Sequence, residues 1–159
     1  MQNKITIIDY GMGNLRSVEK KFLKVGAKVE ISRDPDIISK ADKLVLPGVG
    51  HFANGVKNLY EFGIWEVLNK KALIDHIPIL GICLGMQLLG NHSEEGDTKG
   101  LGWIDANVQR FVITEQIRYK IPHIGWNTLI INKPSALYQG IPEDAMFYFV
   151  HSYFIKCVH

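Results

Sequence analysis

The chain has 159 residues, 47 % of them hydrophobic and 21 % charged, with a formal net charge of +2. That length suits one domain with a real core, and so small a charge gives no argument for nucleic acid or an acidic membrane surface. Two cysteines, Cys83 and Cys157, are too few for a disulfide framework and fit a reducing compartment.

The N-terminus reads as a strand, Lys4 to Asp9, broken by charge and too short for a signal peptide. Tyr10-Gly11-Met12-Gly13 is a turn, and Asn14 is a plausible N-cap. Leu15, Val18, Phe22 and Val25 then mark one face of a helix that Gly26 ends. Ala27 to Ile31 is a second strand, and Asp34-Pro35 opens a short helix to Lys40. Leu44-Val45-Leu46 is a third strand running into Pro47-Gly48-Val49-Gly50. Asn54 to Lys71 reads as helix interrupted near Gly63, and Ile77 to Ile82 as a fourth strand.

Apolar strands alternating with amphipathic helices predict an α/β fold, a mostly parallel sheet covered by helices on both faces. Sites in such sheets form beyond the carboxyl ends of the strands. Three glycine-bearing loops, Gly11 to Asn14, Pro47 to Gly50 and Gly81 to Gly85, fall at such ends.

The second half changes character. Asn91 to Gly100 is polar and reads as a loop. Gly102-Trp103-Ile104, Val108 to Ile113, Ile124 to Ile131 and Ala145 to Phe154 read as strands, with a short helix over Pro134 to Gln139. These are expected to add antiparallel strands at the sheet edge. No apolar run is long enough for a membrane span, so the expectation is a single cytoplasmic domain over 1–159.

The segment Leu80-Gly81-Ile82-Cys83-Leu84-Gly85 carries the most chemical information. A cysteine between two glycines, after an apolar run and before a helix-compatible stretch, has the form of a nucleophile elbow with Cys in place of Ser. The turn is tight and leaves no room for side chains beside the nucleophile. A thiol there stands at a strand tip and a helix N-terminus, whose dipole favours negative charge. The N–H of Leu84 would point at an oxyanion formed by attack of Cys83. The competing reading is a small buried cysteine between packing glycines.

Five segments, in order, resemble the class I (triad) glutamine amidotransferases, most of all the HisH branch, the glutaminase subunits of imidazole glycerol phosphate synthase. They are Asp9 to Leu15, Leu46 to Gly50, Gly81 to Leu89, Pro122 to Asn127 and Phe147 to Tyr153. The resemblance implies hydrolysis of glutamine to glutamate and ammonia with Cys83 as nucleophile. It implies an oxyanion hole from backbone N–H groups of Val49, Gly50 and Leu84. It makes Gly48, Gln87, His151, Ser152 and Tyr153 substrate-binding residues. Ammonia would pass to a HisF-like (β/α)8-barrel subunit, met by Asn14, His123, Trp126 and Asn127. Residue chemistry alone also allows Asn14 to be a pure helix cap and Trp126 a core aromatic.

No cofactor is implied, and no histidines have metal-ligand spacing. A cysteine nucleophile of this kind needs a base and a group to orient it. In the family these come from a His-Pro-Glu segment near the C-terminus, and none follows the Phe147 to Tyr153 segment in this sequence. The expectation is therefore a domain lacking the family's C-terminal segment, poorly active or inactive as written. Two further readings stand beside the histidine-biosynthesis role. One is ammonia supply for sugar amidation in surface-polysaccharide synthesis, suggested by the similarity of Gly100 to Ala106. The other is a non-catalytic binding module.

Overall fold

The computed structural model describes residues 4–114 and 120–158. In chain order the elements are β1 (Lys4–Ile8), α1 (Leu15–Lys24), β2 (Lys28–Ser32), α2 (Pro35–Ser39), β3 (Lys43–Leu46), α3 (Phe52–Glu61), α4 (Ile64–Asn69), β4 (Ile79–Gly81), α5 (Leu84–Gln87), β5 (His92–Ser93), β6 (Thr98–Lys99), β7 (Ala106–Arg110), β8 (His123–Asn127), β9 (Phe147–His151) and β10 (Tyr153–Cys157). They fall into two compact units: one runs to Gln109 and takes up Ile155 onward, and the other is Arg110–Phe154.

The first unit holds a parallel sheet of order β2-β1-β3-β4. Its central strands are apolar on both faces: Ile7, Ile8, Leu44, Val45 and Leu46 are all buried. Strand order reverses between β1 and β3. Right-handed crossovers then send α1 to one face and the helices after β2 to the other. In open α/β sheets such a reversal is where ligands bind, beyond the carboxyl ends of the strands, here those of β1 and β3. This is the α/β architecture expected from the sequence.

Local chemistry sets the helix ends. The Asn14 side chain accepts from the Ser17 N–H, and Asp34 accepts from Asp36 with Pro35 in the first helical turn. α3 begins at Phe52, two residues before the expected start. Its first amides are met by His51 Nδ1, which accepts from Ala53 N–H at 3.3 Å, and by Glu95 Oε2, which accepts from Phe52 N–H at 2.8 Å. After Gly63, α4 continues into a π-helical turn, Lys70–Ile74. There the buried Lys71 ammonium binds the Ser39 carbonyl and the Asp75 carboxylate, each at 3.0 Å. The hydrogen bond from Lys71 holds the Asp75 carboxyl below its ordinary pKa. No helix of the described residues is long and apolar enough to cross a membrane.

The strands of the second half hydrogen-bond into sheets of their own. One has the order β10-β7-β5-β6 and the other is the antiparallel pair β8-β9. The polar stretch expected as a loop contributes the two-residue strands β5 and β6. The strand expected at Gly102–Ile104 does not form. Its amides close the turns after α5 instead: Gly102 N–H bonds Gly90 O, and Trp103 and Ile104 N–H both bond Leu89 O. The long strand expected over Ala145–Phe154 is broken at Ser152 into β9 and β10.

The connection from β4 to α5 has no space for side chains. A Cβ on Gly81 would lie 2.5 Å from Met86 Cα, and one on Gly85 would overlap the carbonyl oxygen of Leu46. Between them Cys83 has φ 52° and ψ −116°, a strained conformation for a residue with a Cβ. The Ile82 N–H still reaches Leu46 O at 3.0 Å, so the β3–β4 ladder runs up to the turn.

Two stability changes of opposite sign follow. Gly85→Ala should cost more than about 3 kcal/mol, because the clash is with backbone that cannot move aside. Cys83→Gly should raise stability by about 1 kcal/mol by releasing the strained φ. Urea unfolding of the two variants beside the parent chain checks both.

Candidate active site

Cys83 is exposed at the tip of β4, not buried among apolar side chains. The loops after β1 and β3 come to the same place. A Cβ on Gly13 would lie 3.4 Å from Gly48 Cα, and one on Gly50 would lie 2.8 Å from Met12 Cε. A Cβ on Gly48 would overlap the Tyr10 hydroxyl and lie 3.1 Å from Leu84 Cβ. The first unit therefore gathers Gly48, Val49, Gly50, Cys83 and Leu84 at one end of the parallel sheet. Val49 and Gly50 are exposed there, while Gly48 and Leu84 are buried.

The backbone donors of this corner are partly spent. The Leu84 N–H donates to the Gly48 carbonyl oxygen at 3.3 Å. An oxyanion beside Cys83 can receive that hydrogen only once the Gly48 oxygen moves off it. Gln87 lies one turn beyond Cys83 and is buried, its N–H donating to the Cys83 carbonyl at 3.0 Å.

Tyr10 and Glu95 are parts of the corner that the sequence reading passed over. Tyr10 was absorbed into a turn, yet its side chain is fully buried, and its carbonyl accepts from Asn58 Nδ2 at 2.9 Å. Burial, and then the charge of a Cys83 thiolate, push the Tyr10 hydroxyl well above the ordinary phenol pKa. The cue available was a large aromatic set immediately before glycine in a strand-end loop. Glu95, in the polar stretch, reaches the amide of Phe52, two residues beyond Gly50. Nothing in its local sequence indicates that reach.

Two histidines of this unit are committed away from Cys83. His51 caps α3, and His92 Nε2 lies 2.9 Å from Asp97 Oδ1. Among the described residues no group of three or more His, Cys, Asp or Glu side chains is gathered as a metal ion would require. Asn14 is exposed and serves as the cap of α1.

The second unit carries the remaining candidates on the β8–β9 ribbon and just after it. His123 pairs with His151 and Trp126 with Tyr148. His151 Nδ1 lies 2.7 Å from the Tyr153 carbonyl, which can only accept, so Nδ1 carries the hydrogen. In the neutral pair His151 Nε2 is then the acceptor of the 3.2 Å bond from His123 Nδ1. The Ser152 carbonyl accepts from the Phe111 N–H. Alternation along β8 turns His123 and Trp126 to opposite faces. The Trp126 face, with Ile124, Tyr148 and Val150, is apolar and open, Trp126 being 66 % exposed. Trp126 is thus not a core aromatic in this unit.

Comparison with known proteins gives the family. The family model for class I glutamine amidotransferases matches residues 6–158. An imidazole glycerol phosphate synthase subunit HisH 2 of Methanococcus maripaludis is 49 % identical over 153 residues, covering 96 % of this chain and 75 % of the relative. A HisH 1 subunit of Campylobacter jejuni is 51 % identical over 154 residues, covering 96 % and 76 %. Among solved structures, a glutamine amidotransferase from Thermotoga maritima shares the fold with TM-score 0.62 at 20 % identity, covering 99 % of this chain and 64 % of that one. The Trypanosoma brucei CTPS glutaminase domain with bound acivicin gives 0.56 at 17 % identity, covering 95 % and 67 %. By sequence, the chain belongs to the class I glutamine amidotransferases.

Proposed function

We infer that this chain is the glutamine-hydrolysing subunit of an imidazole glycerol phosphate synthase and serves histidine biosynthesis. The observation that carries the chemistry is an exposed cysteine held at a strained strand-to-helix turn, beside a glycine loop whose Gly48 packs against Leu84. The observation that carries the pathway is identity of 49 % and 51 % to HisH subunits over nearly the whole chain.

In this reading the Cys83 thiolate attacks the side-chain amide carbon of glutamine, forming a C–S bond and a tetrahedral oxyanion. The C–N bond then breaks as the nitrogen takes a proton from water, and ammonia leaves a glutamyl thioester and hydroxide. Water attacks the thioester through a second oxyanion, releasing glutamate and the thiolate. Leu84 and the Val49–Gly50 segment are the oxyanion donors, and removal of one such donor typically costs about 100–1000-fold. With the Leu84 N–H held by Gly48 O, the free chain is in a resting arrangement. Rotation of the Gly48–Val49 peptide would release Leu84 and bring the Val49 N–H toward the same oxygen.

Gly48, Gln87, His151, Ser152 and Tyr153 are proposed to hold the substrate. The ammonia acceptor is proposed to be a (β/α)8-barrel subunit. Support for a partner comes from the open apolar face at Trp126; Asn14 in the first unit, and His123 and Asn127 on the other face of the ribbon, are proposed as further contacts.

Two measurements test this. With the barrel subunit present, whatever ammonia release from glutamine the chain supports should be lost in Cys83→Ala, with complex formation intact. Trp126→Ala should weaken the complex by about 1–2 kcal/mol in titration calorimetry, with the thermal midpoint of the free chain unchanged. Full hydrolysis by the Cys83 variant, or unaltered binding by the Trp126 variant, contradicts the corresponding assignment.

A further inference from the structure

Among the described residues, the Tyr10 hydroxyl is the one buried side-chain polar atom with no hydrogen-bond partner. Its residue is fully buried. A phenol sealed from water without a partner is costly, and folds rarely keep one without a use. Its position gives the use. The hydroxyl lies directly against Gly48 Cα, where any side chain on residue 48 would overlap it. Gly48 is also the residue whose carbonyl oxygen occupies the Leu84 N–H. An orphaned donor therefore touches the residue whose acceptor must leave its present donor before Leu84 can serve an oxyanion.

We propose that Tyr10 is a positioning residue: its O–H receives the Gly48 carbonyl oxygen when the Gly48–Val49 peptide turns away from Leu84, and so stabilises the arrangement with an open oxyanion hole. Gly48 is buried, so its carbonyl oxygen, once off Leu84, needs a protein donor. Tyr10 can supply one at any working pH, because burial and then the neighbouring thiolate charge keep the phenol protonated. It touches neither glutamine nor the reacting atoms and acts only through the backbone of the loop. The proposal rests on the glutaminase reading of Cys83.

The test is Tyr10→Phe, which removes one oxygen and leaves the packing. One neutral hydrogen bond corresponds to a factor of about 5–10 in the open population. Exchange of the Leu84 amide with solvent, read by NMR, should therefore slow by about 5- to 10-fold, with amides of β1 and β2 unchanged. Labelling of Cys83 by a glutamine chloroketone, whose capture passes through an oxyanion, should slow by the same factor. Labelling by iodoacetamide, which forms no oxyanion, should not change. The thermal midpoint should hold or rise, since an unsatisfied group is lost.

Unchanged Leu84 exchange and chloroketone labelling overturn the proposal. So does a lowered midpoint with both reagents slowed alike, which would make the hydroxyl a structural part of the core. A parent chain whose Cys83 is not labelled by the chloroketone would instead overturn the glutaminase reading, and the Leu84 exchange rates would still decide the role of Tyr10.

Discussion

The backbone of α5 passes so close to the end of β3 that a methyl group at residue 85 would occupy the place of the Leu46 carbonyl oxygen. That approach sets the geometry of the corner. It brings the first turn of α5 against Pro47 and Gly48. It forces the chain through the cramped turn at residue 83 and leaves that residue's side chain outside the sheet. Close packing at Gly81 and Gly85 balances the strain at Cys83, because no relaxed path from β4 to α5 avoids the clash. The Cys83 side chain is thus presented by packing around it rather than by any bond to it.

The same closeness explains why the Leu84 N–H is engaged. With Gly48 pressed on Leu84, the short-range hydrogen bond between them forms by default, since a buried amide beside a buried carbonyl will pair.

Much of this was legible in the residues. The Cys-bearing glycine pair, the apolar strands and the capping residues Asn14 and Asp34 each follow local rules, and the structure places them accordingly. The start of α3 was misjudged because its caps are a histidine side chain and a glutamate from 43 residues away. The residues of Gly102–Ile104 suit a strand. The carbonyls ending α5 claimed their amides instead. Tyr10 looked like part of a turn, and only packing shows its hydroxyl stranded under Gly48.

By itself the sequence determined which residues could do chemistry and in what order the elements run, because hydrophobic period, glycine placement and capping are properties of neighbours along the chain. Tertiary structure alone decided which of those groups meet and whether their hydrogens are available. The Leu84 amide is a free donor in the sequence and an engaged one in the fold. The difference is a carbonyl 36 residues earlier, brought within 3.3 Å by the pairing of β3 with β4.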